Sequence, residues 1–176
     1  DFVVGASAVP ELNASFVNGA LISIPASGTV GPAVPYPSVI NVTNLPGVVT
    51  RATVTVSNLA HAFPGDVDLL LVSPDGTRVV LMAAAGDAAI AGVTLTFDDA
   101  SLNLPPPSGQ IPSGTYHPSR YFLEDLPGAP PQPYSTNLAS FNGANPNGAW
   151  SLFIYDFESG DSGMIEPAHL GMAEVK

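Results

Sequence analysis

Residues 51–57, "RATVTVS", alternate cleanly between apolar and polar: Ala52, Val54 and Val56 fall on one face, Thr53, Thr55 and Ser57 on the other. That period of two predicts a strand with one buried face. "VDLLLVS" (67–73) is instead a short continuous apolar run, closed by the turn signal Ser73-Pro74-Asp75-Gly76. "TRVVLMA" (77–83) follows at once, so the two runs form a hairpin. Further strands are predicted over 92–97 ("GVTLTF"), 149–156 ("AWSLFIYD") and 169–175 ("HLGMAEV"). No stretch of ten or more residues carries a helical period free of Gly and Pro. Many short strands with turns between them predict an all-β chain, an antiparallel two-sheet sandwich of jelly-roll type. Between residues 101 and 148 the pattern gives way to "LPPPSGQIPSG" and "LPGAPPQPY", long proline-rich loops. Their Tyr116, Tyr121, Phe122 and Tyr134 predict loops packed onto the sandwich, since free linkers seldom carry so many large side chains. "DFVVGASAV" (1–9) is a small strand candidate detached from the rest. The expected division is therefore an N-terminal extension over 1–15 and a sandwich over 16–176.

Composition sharpens this. Of 176 residues, 45% are hydrophobic and only 11% charged, with 17 Gly and 19 Pro. The surface must be built largely from Ser, Thr, Asn, Gly and Pro. Fifteen acidic residues against four basic ones give a formal charge of −11. Nucleic-acid binding needs a basic stripe to displace counterions, and anionic membranes repel this sign of charge, so neither is an expected partner. An acidic chain attracts cations. The absence of cysteine removes disulfides, thiolate metal sites and cysteine nucleophiles. No apolar run approaches the roughly 20 residues of a transmembrane span. The first residue is Asp1, which fits a processed mature protein or an excised fragment.

In order along the chain, "HAFPGDVDLLLVSPDGTRVVLM", "VTLTFDDA", "SGTYHP", "FNGANPNGAWSLFIYD" and "GDSG" resemble the P-domain that follows subtilisin-like proprotein convertases, in a bacterial branch found in secreted and surface proteins. The resemblance covers residues 16–176. It implies a β-sandwich without a catalytic centre of its own, which stabilises a protease or serves as an accessory module, and it implies an association with calcium. The chain departs from the pattern where "PAHLGMAEV" lacks the tryptophan usual in the final strand.

Two chemistries compete for the polar residues. Gly160-Asp161-Ser162-Gly163 also flanks the nucleophile of chymotrypsin-like proteases, and His61 and Asp98 or Asp99 precede it in that family's order. But Met164 follows the motif, His61 stands in "LAHAFPGD", and a Gly-Asp-Ser-Gly turn needs no catalysis to explain it. A serine hydrolase is the remote reading.

The carboxylates are more telling. Asp66 and Asp68 open one strand two residues apart and share a face. Asp98 and Asp99 end a second strand and Asp156 a third, with Asp161 in the turn beyond. If 66–72 lies beside 92–97 and 150–156, all six gather at one pole. Ca²⁺, which takes six to eight oxygens, would relieve their repulsion; Mg²⁺ prefers a stricter octahedron, and scattered His without Cys disfavours zinc. Asp75 belongs to the hairpin turn, while Asp87 and Glu158 are further candidates. Trp150 shares a face with Leu152 and Ile154 and is expected in the core. The expected function is a non-catalytic, calcium-stabilised extracellular module, structural or accessory, with a protein partner. The alternative is a subunit that assembles with copies of itself by donating residues 1–9 to a neighbour's sheet edge.

Overall fold

A computed structural model of the chain describes residues 12–25, 30–122 and 124–175. The strands are β1 (Leu12–Asn18), β2 (Ile22–Ile24), β3 (Gly31–Pro32), β4 (Ser38–Val42), β5 (Val48–His61), β6 (Val67–Val72), β7 (Arg78–Ala83), β8 (Ile90–Phe97), β9 (Gly114–Tyr116), β10 (Ser119–Arg120), β11 (Gly148–Asp156), β12 (Gly163–Ile165) and β13 (Ala168–Val175). Two short 3₁₀ turns, Pro64–Asp66 and Leu138–Phe141, are the helical segments among the described residues.

The strands make two sheets that pack as a sandwich. In the first, the long β5 is flanked by β13 and β12 on one side and β8 on the other; β1 lies outside β13, β2 outside β12 and β9 outside β8. The second runs β10-β7-β6-β11, with β3 and β4 both on the far side of β11. The hairpin of β6 and β7 is antiparallel, as its turn residues predict. Two marginal pairings depart from an antiparallel sandwich: β8 with β9 and β7 with β10 are parallel. β8 and β9 are joined by the loop over residues 98–113, and β7 reaches β10 only through β8, β9 and their loops; a parallel return requires such a crossover.

The observed burial explains the two hydrophobic patterns. In β5, Ala52, Val54 and Val56 are buried while Thr53, Thr55 and Ser57 are half-buried, as alternation requires. β6 is buried along its whole length because both its faces are covered. Val67, Leu69 and Leu71 enter the core between the sheets. Leu70 and Val72 join Val80, Leu126, Tyr134 and Phe153 in a second cluster on the outer face. The proline-rich segment carrying Leu126 and Tyr134 thus roofs that outer face.

Proline supplies a carbonyl but no N–H, so such a loop presents acceptors without ladder partners. Tyrosine hydroxyls meet several of them. Tyr36 donates to the Pro127 carbonyl at 2.8 Å, Tyr116 to Pro112 at 2.8 Å, Tyr121 to Pro105 at 2.6 Å and Tyr134 to Pro130 at 2.7 Å. Phe122 differs from its expected role as a loop anchor: it is 67% exposed. Trp150 is fully buried, edge-on to Phe141 with centroids 4.9 Å apart, and its indole N–H donates to the Pro146 carbonyl at 2.8 Å.

β1 begins at Leu12 and pairs with β13 from Leu12 to Asn18, so it crosses the boundary expected between residues 15 and 16. The linking strand expected over residues 1–9 lies outside the described residues.

Candidate metal centre

The site is built by two parity rules. On β11, Trp150, Leu152 and Ile154 point into the core between the sheets, and the same alternation carries Asp156 inward at the end of the strand. On β5, Ala52, Val54 and Val56 would leave residue 61 pointing outward. Asn58 adopts a positive φ of 53°, and the register against β8 shifts between Val56 and Leu59. This bulge resets the alternation, so that Leu59 and His61 are buried. His61 from one sheet and Asp156 from the other therefore meet at one end of the sandwich. Both side chains are fully buried, and His61 Nε2 lies 3.2 Å from Asp156 Oδ2.

Asp161 joins them from the loop after β11. One ligand atom from each of His61, Asp156 and Asp161 lies within 4.8 Å of the others. Asp161 Oδ1 is buried and receives no hydrogen bond. Asp156 Oδ1 accepts the Glu158 N–H at 3.2 Å. Asp66, at the end of the 3₁₀ turn, feels the same group: burial first, then the charges of Asp161, Asp156 and Glu158, push its carboxyl up to about 6. The Asp156 carboxyl is raised as well, chiefly by burial.

Asp68 points away from this core end, onto the outer face that β6 shares with Leu70. It lines a cleft of about 170 Å³ with Asp66, Glu124 and Glu158, between Phe122 and Phe157. Burial, and secondarily the charge of Glu124, raise its carboxyl to about 7 against a hydrogen bond from the Ala84 backbone.

Asp98 and Asp99 are elsewhere, which corrects the expected gathering of six carboxylates. β8 pairs with β5 in the sheet opposite β6, with Phe97 beside Val54 and Ile90 beside His61. The end of β8 thus lies seven residues along β5 from His61, roughly 20 Å away. Asp98 forms an ion pair with Arg51 and accepts the Ala100 N–H at 3.0 Å. Asp99 accepts the Leu138 N–H at 2.9 Å and the Ala139 N–H at 2.7 Å, capping the second 3₁₀ turn. Both carboxylates are occupied by turns. Asp75 takes the Ser73 hydroxyl and the Thr77 N–H, as a hairpin-turn residue should.

The protease-like arrangement is not formed. Ser162 is exposed. His61 Nδ1 accepts the Phe63 N–H at 3.2 Å, and Nε2 faces Asp156. Both ring nitrogens are engaged away from the serine. The second glycine of the motif has its own reason. Gly163 pairs with His61 across β12 and β5, and a Cβ there would stand 2.1 Å from the Ala60 carbonyl oxygen and 2.5 Å from His61 Cδ2. Only a hydrogen fits.

A cation fits the donors at this pole. Asp161 offers a buried, unpartnered oxygen and Asp156 a buried carboxylate beside it, hard-oxygen donors of the kind Ca²⁺ takes, with the charges of Asp66 and Glu158 acting on the same pole. His61 escaped the sequence reading as part of this group. Its signal was Asn58, a residue that tolerates positive φ and so can shift a strand's parity.

Two sheets packed as a sandwich, with His61 and Asp156 buried together at one end, define a β-sandwich module. The chain belongs to the Proprotein convertase P-domain family, whose model matches residues 49–172, well over half of its length. No curated protein sequence matches. Among solved structures, the serine protease of Aeromonas sobria in complex with its chaperone is 14% identical with a TM-score of 0.45, over 95% of this chain and 27% of that one. A structure of the same protease is 13% identical with a TM-score of 0.45, over 97% of this chain and 28% of that one. The chain therefore spans between a quarter and a third of those polypeptides.

Proposed function

We propose that this chain is a non-catalytic, calcium-stabilised module of an extracellular bacterial protein, secreted or surface-borne, that supports or docks a protein partner. Membership of the P-domain family supports the accessory role and the extracellular setting. Among the described residues no helix is long and apolar enough to cross a membrane. The observation that carries the calcium reading is the buried Asp161 Oδ1, left without a donor beside the fully buried Asp156. A buried acceptor without a partner costs about 1–3 kcal/mol, and like charges nearby add to that cost. A divalent cation held by Asp156, Asp161, Asp66 and Glu158 would remove both penalties. Bound only by the folded chain, it would stabilise the sandwich by mass action.

The test is a melting curve with Ca²⁺ and with chelator. Calcium should raise the melting temperature of the wild type, and Asp66→Asn combined with Asp156→Asn should blunt the gain. An unchanged curve after chelation, in protein shown to be metal-free, rejects the reading.

A further inference from the structure

This inference rests on the calcium reading and deepens it; its subject is His61, whose two ring nitrogens are both engaged. The ring is fixed on three sides. The Phe63 N–H donates to Nδ1 at 3.2 Å, so Nδ1 is the bare nitrogen. Nε2 therefore carries the proton and donates it to Asp156 Oδ2, 3.2 Å away. The third contact is Gly163, close enough that a methyl would overlap Cδ2. The imidazole cannot turn over cheaply. The other tautomer would set Nδ1–H against the Phe63 N–H, donor facing donor, on a side chain that is itself fully buried.

A direct ligand must present a bare nitrogen to the metal, and His61 has none to spare. What it does instead is hold one oxygen of Asp156, while the Glu158 N–H holds the other. The carboxylate is then clamped between two donors, one on each oxygen, and a ligand atom of Asp161 stands within 4.8 Å of one of its own. We infer that His61 is a positioning residue that orients Asp156 from outside the ligand set, and that by keeping both its nitrogens engaged it reserves this pole for a hard, oxygen-seeking cation such as Ca²⁺ against Zn²⁺. Outer partners of this kind typically change metal affinity by about 10–100-fold when removed.

The experiment compares wild type, His61→Gln and His61→Leu by calorimetric titration with Ca²⁺ and with Zn²⁺, each protein first shown folded by circular dichroism. Glutamine retains an N–H donor at about the reach of Nε2, whereas leucine retains only volume. The expected result is Ca²⁺ tighter than Zn²⁺ in the wild type, affinity for Ca²⁺ close to wild type in His61→Gln, and a loss of about 10–100-fold in His61→Leu. Equal Ca²⁺ affinity in His61→Leu would overturn the positioning role. Zn²⁺ binding tighter than Ca²⁺ in the wild type, and lost in His61→Gln, would make His61 a ligand and overturn it too. A wild type that binds no Ca²⁺ fails the calcium reading itself, which separates that failure from the others. Should His61→Leu not fold, the ¹⁵N shifts of the His61 ring in the wild type decide. A protonated Nε2 and bare Nδ1, unchanged on adding Ca²⁺, support the inference, and a protonated Nδ1 or an Nε2 that loses its proton overturns it.

Discussion

Gly163→Ala puts the "GDSG" motif to a stringent trial. The new Cβ would lie 2.1 Å from the Ala60 carbonyl oxygen, 3.1 Å from its carbon and 2.5 Å from His61 Cδ2. An ordinary carbon–oxygen contact is more than about 3 Å, so the overlap approaches 1 Å, and its principal partner is backbone that has no rotamer to change. β12 must separate from β5, or His61 must leave Asp156. Overpacking of this kind costs typically about 1–3 kcal/mol, and a clash with main chain belongs at the upper end. For a chain of this size about 3 kcal/mol lowers the melting temperature by roughly 6–12 °C. The neighbouring Ser162→Ala is the control. Ser162 is exposed, so its truncation should stay within about 0.5 kcal/mol. Thermal denaturation followed by circular dichroism measures both. If Gly163→Ala melts within 2 °C or so of the wild type, β12 does not ride on β5 as described. If Ser162→Ala proves the more damaging, or Ser162 is labelled stoichiometrically by a fluorophosphonate, the motif is not structural.

The metal-free protein should lose stability as pH rises. Asp68 and Asp66, at about 7 and about 6 instead of 3.8, hold their protons more tightly when folded, so this contribution is complete below about pH 4 and is lost as pH climbs towards 7. For the buried Asp68 the rise corresponds to at most about 4 kcal/mol. Chelated protein should therefore melt lower at pH 8 than at pH 5, and Asp68→Asn should flatten the slope; a chelated protein that gains stability across that interval contradicts the electrostatics. Asp99→Ala removes the acceptor of the Leu138 and Ala139 N–H groups and should cost about 1–2 kcal/mol in a urea titration, with the stabilisation by calcium unchanged. Trp150→Ala empties a fully buried site against Phe141 and should cost about 3–5 kcal/mol; a loss under 1 kcal/mol would place Trp150 outside the core.

The alternation in "RATVTVS" and the turn in "SPDG" are local, and they specify β5 and the hairpin of β6 and β7 without knowledge of the rest. The short β2, β3, β9, β10 and β12 carry two or three residues each and have no period of their own. They exist because a neighbouring strand offers an edge, which is a tertiary fact. The same distinction runs through the site. Asp156 was legible as an inward residue because it continues the parity of Trp150, Leu152 and Ile154. Asp98 and Asp99 end a strand in the same way, but which sheet that strand joins is not written in its residues. The difference lies in strand adjacency. Glu124 enters the cleft beside Asp68 only because the proline-rich loop folds over the outer face of β6, and nothing in its immediate neighbours signals that path.

The most direct measurement is the anomalous diffraction of crystals grown in calcium. An ion is expected at the pole where β5 and β11 end, bound to Asp161 Oδ1 and Asp156, with His61 Nε2 still bonded to the Asp156 carboxylate and outside the coordination shell. An ion seated instead on Asp98 and Asp99, or no ion in a protein that calcium nonetheless stabilises, would contradict it.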